Sequence, residues 1–195
     1  MRNRNLGEFL FLIRSYLLFP LVLLLVFLAW LSSPPFWRFF LGLGIMVVGK
    51  GVRLWAAGYI GGALRTASKN VPGSLVTAGP YAHLRNPLYL GNFILSAGAC
   101  VMSGMNPWII FPIFFVLFIF QYWNIILFEE VTLREKFGKE FEDYRSNVSR
   151  VIPKLKRFAR ASAHNFGLRR ALRYEKRSSL AMALLILLIP LRFLF

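Results

Sequence analysis

Gly79-Pro80-Tyr81-Ala82-His83-Leu84-Arg85-Asn86-Pro87-Leu88-Tyr89-Leu90-Gly91 is the stretch on which the reading of this chain turns. Up to Leu84 it is turn-rich and mixed in polarity. From Pro87 it becomes apolar and stays so to about Ser103. Proline suits a first helical turn, where its missing N–H has no intrahelical partner in any case. A turn signal, two tyrosines, a histidine and an arginine that open into an apolar helix predict a site at the surface of a membrane, because a plain anchor has no use for that mixture. The next apolar run closes on a second polar cluster, Glu129-Glu130. Polar clusters at the same end of two hydrophobic segments predict one shared site.

Outward from this stretch the chain is dominated by apolar runs. Of its 195 residues 57% are hydrophobic, and the mean hydropathy is +0.56. The runs are continuous rather than striped at helical spacing, and about 20 apolar residues cross a bilayer. Gly104 to Pro107 reads as a tight turn, so the run from Trp108 to Phe128 is expected to pack antiparallel to the one from Pro87 to Ser103. Upstream lies a glycine-rich run from Phe36 to Ile60 with Gly42, Gly44, Gly49, Gly51 and Gly58, small residues that let helices approach closely in lipid. Before it, Phe9 to Leu31 follows the basic Met1-Arg2-Asn3-Arg4 and ends at Ser32-Ser33-Pro34-Pro35. It is long and lacks a small-x-small exit, so it reads as a retained span rather than a cleaved signal. Glu129 to about Ser146 reads as an amphipathic interfacial helix with Val131, Leu133, Phe137, Phe141 and Tyr144 on its apolar side. Leu180 to Phe195 is short and interrupted by Pro190 and Arg192; it spans, re-enters or lies at the interface.

The expected fold class is therefore all-α: a polytopic membrane protein with four core transmembrane helices, a cytosolic interfacial helix and a short C-terminal hydrophobic helix. Residues 1–153 form the expected core, with motif regions 79–91 and 129–153. Residues 154–195 form a basic tail and C-terminal hydrophobic segment.

Charge sets the orientation. There are 24 Lys+Arg against 8 Asp+Glu, a net charge of +16. The basic residues cluster between apolar runs, which fits topology and anionic lipid rather than nucleic acid; no zinc-finger spacing or base-stacking basic helix is present. Arg150 to Arg177 alone holds ten Lys/Arg and one acid, Glu175. The N-terminus, the Gly61–Leu84 loop (with Arg65, Lys69 and Pro72-Gly73) and Arg134–Arg177 fall on one side and are expected to be cytoplasmic, together with both polar clusters. Arg14 near the start of the first run can snorkel to the headgroups. The single cysteine, Cys100, permits no disulfide framework and no cysteine metal cluster, and no metal is expected.

Arg85-Asn86-Pro87-Leu88-Tyr89-Leu90-Gly91, preceded by Gly79-Pro80-Tyr81, resembles the Arg-His-Pro-x-Tyr-x-Gly region of isoprenylcysteine carboxyl methyltransferases and related membrane methyltransferases. Glu129-Glu130-x-x-Leu133-x-x-x-Phe137-Gly138 with Tyr144 and Arg150-Val151-Ile152-Pro153 resembles the second half of the same signature. The resemblance runs from about Gly51 to Pro153. It implies S-adenosyl-L-methionine as methyl donor and a lipophilic acceptor arriving from the bilayer. It also implies a cofactor pocket at the cytosolic helix ends, closed by the helix after the fourth span and open sideways to lipid. Asn86 stands where the carboxyl methyltransferases carry histidine; related phospholipid N-methyltransferases can have Asn-Pro there, and His83 is the nearest imidazole.

The residues suit such a reaction. Glu129 and Glu130 can accept from an ammonium or from ribose hydroxyls. Tyr81 and Tyr89 offer aromatic faces and hydroxyls. With Gly91 these are the expected cofactor-binding residues, and Arg85, His83 and Asn86 the expected catalytic ones. A carboxylate acceptor needs only a cation to orient it, from Arg85, Arg53 or Arg134. An amine acceptor must first lose a proton, to His83 or a glutamate. Isoprenylcysteine-type carboxyl O-methylation is the leading reading and phospholipid amine N-methylation the runner-up. A membrane reductase of the sterol-reductase kind and a non-enzymatic scaffold are the alternatives of other classes.

Plainer readings stand beside these. Arg85 also satisfies the positive-inside rule with no chemistry. Asn86-Pro87 is an ordinary helix start. Glu129 and Glu130 can be solvated residues at a helix junction, and His83 an interfacial bystander. His164 lies in the basic tail. The glycine pairs are more often helix packing than a cofactor loop, and Lys50 and Arg53 are costly inside a span unless they face protein, water or the interface.

Overall fold

The computed structural model describes residues 9–10, 13, 18–32, 35–60 and 74–191. Expectations placed on residues 1–4, Arg14, Ser33-Pro34, Arg65, Lys69, Pro72-Gly73 and Arg192 lie outside them. Among the described residues all regular structure is helical: α1 (Leu18–Ser32), α2 (Phe36–Ile60), a 3₁₀ turn (Gly79–Ala82), α3 (Pro87–Met102), α4 (Pro107–Phe137), α5 (Lys139–Asn147) and α6 (Leu168–Leu191). The all-α class holds. Two of these helices, α2 with 25 residues and α4 with 31, are long and apolar enough to cross a membrane; α3 is apolar but has 16 residues.

The helix starts follow local chemistry. Pro87 and Pro107 each occupy a first turn. Asn106 caps α4 by accepting the Trp108 N–H at 3.0 Å, which satisfies one of the donors a helix start leaves orphaned. Gly104 sits in the expected turn at φ +70, and its carbonyl accepts from Arg38 Nη1 at 2.8 Å. The two helices flanking the turn run antiparallel as expected. Phe93 meets Phe114, Phe115 and Phe118, while Tyr89, nearer the start of α3, meets Tyr122, further along α4.

α2 and α3 pack through glycines. A Cβ on Gly42 would strike Met102 and the Gly98 carbonyl, and one on Gly49 would strike the Leu95 backbone and the Gly91 carbonyl. Gly98 and Gly91 answer in kind, against Gly42 and Gly49. The contact is thus antiparallel, and each helix contributes two glycines seven residues apart, two turns along one face. Gly44 and Gly51 face open space. The packing pair on α2 is Gly42 with Gly49, one glycine from each of the two Gly-x-Gly repeats.

Two boundaries differ from the sequence reading. The interfacial helix was expected to begin at Glu129, but α4 runs on through Glu129 and Glu130 to Phe137, and the break comes at Gly138, φ +49. Nothing around Phe128-Glu129 interrupts a helix, and glutamate is a good helix former. A positive φ at Gly138 is the conformation glycine adopts without steric cost. The separate helix expected after the fourth apolar run reduces to the nine residues of α5. At the other end the hydrophobic segment expected from Leu180 is the second half of α6, which begins at Leu168 inside the basic run. Leu, Ala, Arg, Glu and Lys there all favour helix, and Pro190 lies inside the helix beside Leu191, the last described residue. The apolar half joins the core: Ala181, Leu185 and Ile189 pack with Ala29, Phe39, Met46, Ala99 and Met102.

Candidate active site

The two sequence regions expected to share a site lie against each other. The strand-like segment after the 3₁₀ turn crosses the end of α5. Arg85 N–H donates to the Ser149 carbonyl at 2.9 Å, and Tyr144 Oη donates to the Tyr81 carbonyl at 2.7 Å. Asn86 Nδ2 donates to the Arg150 carbonyl at 3.0 Å. Further on, the N–H groups of Lys154 and Phe158 donate to the carbonyls of His83 and Ala82. Beneath these bonds Phe141, Tyr144, Val148 and Leu75 form a small core with Leu133, Phe137 and Phe158. Irregular backbone must find partners when it is buried. Here each motif half supplies them to the other.

Glu130 is the ionic centre of this junction. Arg150 grips it through both nitrogens, Nε to Oε1 at 3.0 Å and Nη2 to Oε2 at 2.6 Å. Arg85 Nη2 reaches Oε1 at 3.3 Å. The planar fork of arginine matches a carboxylate in this bidentate form. Arg150 also lies over the Trp123 indole, 5.1 Å from its centroid. One carboxylate serves two guanidiniums, so the junction keeps a positive surplus. Arg85 Nε is buried and lacks a hydrogen-bond partner among the described residues, and burial, partly offset by Glu130, lowers the Arg85 pKa from its ordinary value.

Tyr81 lies deeper. It is 5% exposed and packs with Ala56, Ala57, Val76, Leu88 and Ala171. Its hydroxyl is buried and lacks a hydrogen-bond partner among the described residues. Burial, then the neighbouring Tyr174, Tyr144 and Glu129, push its pKa well above the phenolic range, with Arg53 opposing. The hydroxyl is therefore a neutral donor at a point felt by an acid from α4, a cation from α2 and a tyrosine from α6.

Arg53 belongs to a second ionic cluster. Its Nε and Nη2 donate to Glu175 Oε2 and Oε1 at 2.9 and 2.6 Å, and Lys50 Nζ donates to Oε2 at 2.7 Å. Glu175 is fully buried. A Cβ on Gly91 would strike the Arg53 side chain, so Gly91 lets that arginine pass across α3. The two cations that are costly inside α2 face protein and share one carboxylate.

The remaining expected residues are placed as follows. His83 is half-buried, and its Nδ1 lies 2.9 Å from the Lys154 carbonyl; a carbonyl only accepts, so Nδ1 carries a proton. Tyr89 is buried with Leu10, Ile125, Ile126 and Phe128. Arg134 stands away from the junction, largely exposed, and pairs with Glu142 at 2.7 Å. Sequence reasoning gave no site role to Arg150, Tyr144, Tyr174 or Glu175. For Glu175 a signal existed: one acid among ten bases, and two unpaired cations inside an apolar run.

One opening adjoins this junction and a second lies at the other end of α4, beside the Gly104–Pro107 turn. A cleft of about 430 Å³ is lined by Leu75, Thr77, Tyr144, Asp143, Phe158 and Arg160 among others. An apolar groove of about 500 Å³ runs between Phe93 on α3 and Trp108, Phe111, Pro112 and Phe115 on α4.

A family model described as phospholipid methyltransferase matches residues 37–140, from the start of α2 into α5. Among curated proteins the chain is 32% identical over 135 residues to the nickel-cobalt-cadmium resistance protein NccN of Alcaligenes xylosoxydans xylosoxydans, covering 69% of this chain and 57% of that one. It is 31% identical over 133 residues to the protein-S-isoprenylcysteine O-methyltransferase of Mus musculus, covering 66% and 44%. To that of Schizosaccharomyces pombe it is 31% identical over 115 residues, covering 57% and 48%. The chain spans about half the length of the curated relatives it matches. No solved structure matches it.

Proposed function

Because the chain belongs to the phospholipid methyltransferase family, we propose that it is a polytopic membrane enzyme that transfers a methyl group from S-adenosyl-L-methionine to a lipophilic acceptor at the cytoplasmic face. The observation that carries this reading is the buried Tyr81 hydroxyl, which has no hydrogen-bond partner among the described residues and lies within electrostatic reach of Glu129, Tyr174 and Arg53. An orphaned buried donor is costly unless a ligand satisfies it. The set fits that cofactor: an acid for an ammonium or ribose hydroxyl, a phenol for hydrogen bonding, and aromatic faces that suit a cation. Tyr81 and Glu129 would hold it, with Tyr89 and Gly91 shaping the wall. When bound, it supplies a sulfonium-linked methyl group open to in-line attack, a reaction in which alignment lowers much of the barrier.

The acceptor class we favour is a carboxylate, as in isoprenylcysteine-type O-methylation. Both ionic clusters hold two cations for one carboxylate, a surplus that suits an anionic group, and Arg85 is the cation nearest the motif backbone. Its Nε has no hydrogen-bond partner among the described residues, which leaves one donor unused for such a group. Phospholipid amine N-methylation is the second reading, and His83 favours it: with Nδ1 committed to a carbonyl as donor, Nε2 is the nitrogen left to take a proton from an amine.

The test is calorimetric titration of the purified protein with S-adenosylhomocysteine, followed by labelled transfer to total membrane lipids. Micromolar binding and a labelled, base-labile ester are expected. A base-stable product on an amine headgroup would transfer the assignment to the second reading, and folded protein that binds neither donor nor product would sink both.

A further inference from the structure

We infer that residues 151–157 form a surface anchor that docks on the anionic phospholipid headgroups of the bilayer the helices cross. The inference rests on the membrane placement proposed above and is independent of the transfer chemistry.

The segment starts where the protein meets the interface. Arg150 stacks on Trp123, a half-exposed indole on α4, and tryptophans concentrate at the level of the headgroups. From there the chain presents Val151, Ile152 and Leu155 to the outside. Ile152 is 77% exposed and Leu155 fully so. Large aliphatic side chains this open on a loop are costly in water. Lys154, Lys156 and Arg157 are interleaved with them and are exposed too. Apolar side chains that enter the acyl boundary, with cations at headgroup depth, are the pattern of an interfacial element on anionic lipid. An acidic protein surface would attract the cations but would leave Ile152 and Leu155 unexplained.

The backbone is held for the purpose. Lys154 N–H donates to the His83 carbonyl at 3.0 Å, Phe158 N–H donates to the Ala82 carbonyl at 2.9 Å, and His83 Nδ1 donates to the Lys154 carbonyl. Lys154 Nζ donates to the Asn147 carbonyl at 2.7 Å. These bonds fix the loop against the motif segment, so its exposed side chains point outward from a rigid base. Headgroup contact there is one chain turn from His83.

The full chain, with Cys100→Ala and a single cysteine carrying an environment-sensitive fluorophore, would be placed in nanodiscs of acyl-brominated lipid. Reporters go at Leu155, at Ile152 as a second position, at Val116 on the exposed face of α4, and at Glu140 on α5. Quenching is expected at 116, 152 and 155 but not at 140, and it should rise at 152 and 155 when phosphatidylglycerol replaces part of the phosphatidylcholine. Replacing Lys156 and Arg157 together by glutamine is expected to cut that phosphatidylglycerol preference roughly tenfold. Quenching at 116 with water-like emission at both 152 and 155 would overturn the inference. So would equal quenching in both lipids, or a response of the loop reporters to an acidic peptide and not to lipid. Loss of quenching at 116 itself would overturn the membrane placement, and the anchor with it.

Discussion

Glu129 and Glu130 are neighbours with different tasks. Glu130 is gripped by Arg150 and Arg85, so Glu130→Gln removes a charge-assisted acceptor from two cations. It is expected to lower stability by about 1.5–3 kcal/mol, read as a fall in melting temperature. Glu129→Gln is expected to weaken S-adenosylhomocysteine binding about tenfold, a change of about 1.4 kcal/mol. If the two variants exchange these effects, the site has been assigned to the wrong glutamate. Tyr81→Phe separates the roles further. Its hydroxyl has no hydrogen-bond partner among the described residues, so removing it relieves an unsatisfied buried group. The melt should hold or rise while cofactor-product affinity falls; a lower melt with unchanged affinity would show that the hydroxyl serves the fold. Burial raises the pKa of both Tyr81 and Tyr144 above the ordinary 10.0. A raised phenolic pKa stabilises the folded state fully below that ordinary value, and the contribution is lost as pH climbs from there toward the raised one. A pH series of melts should therefore be flat with respect to these phenols below about 10 and decline above it, and the decline should be smaller in Tyr144→Phe.

At the scale of elements, glycines decide the geometry, and which ones do was only partly legible. The sequence reading treats Gly42-x-Gly44 and Gly49-x-Gly51 as packing pairs. Only the partner helix shows that Gly42 and Gly49 face α3 while Gly44 and Gly51 do not. Gly49→Ala should drive α2 from α3 and abolish folded yield, because its Cβ meets backbone rather than a flexible side chain end. Gly44→Ala should be neutral or stabilising by about 0.5–1 kcal/mol, since alanine restores helix propensity where there is room. Gly138→Ala also has open space around it, but its positive φ makes the substitution cost about 1–3 kcal/mol. If Gly138→Ala were as silent as Gly44→Ala, the α4–α5 break would not depend on that backbone. This break explains why the interfacial helix was misplaced: composition changes at Glu129, where polarity begins, but backbone direction changes at Gly138, where the chain can turn.

Across the whole molecule, the run that forms α2 was legible, as were the α3–α4 hairpin and the meeting of 79–91 with 129–153, because each rests on local signals: proline at helix starts, a short turn, polar clusters at run ends. What stayed hidden depends on pairing across long sequence distances. Glu175 is one acid in a basic run, and nothing within reach of its own helix announces that its partners are Lys50 and Arg53 on α2. The same distance hid the path of the chain from Arg150 back across Ala82 and His83, which joins both halves of the motif into one surface.

The Glu175 cluster has a consequence for the order of assembly. During synthesis Lys50 and Arg53 emerge long before the carboxylate that neutralises them. Until α6 is made, α2 carries two cations that a lipid interior disfavours, and it has reason to ride high toward the aqueous side. Closure of α6 onto α2 would then draw that helix to its final depth and seat Arg53 across Gly91 in the same movement. A ribosome-stalled chain lacking α6 should hold residue 51 in a water-accessible position that the complete chain withdraws, a difference that thiol labelling of Gly51→Cys, in a Cys100→Ala background that keeps Lys50 and Arg53, would detect at successive chain lengths.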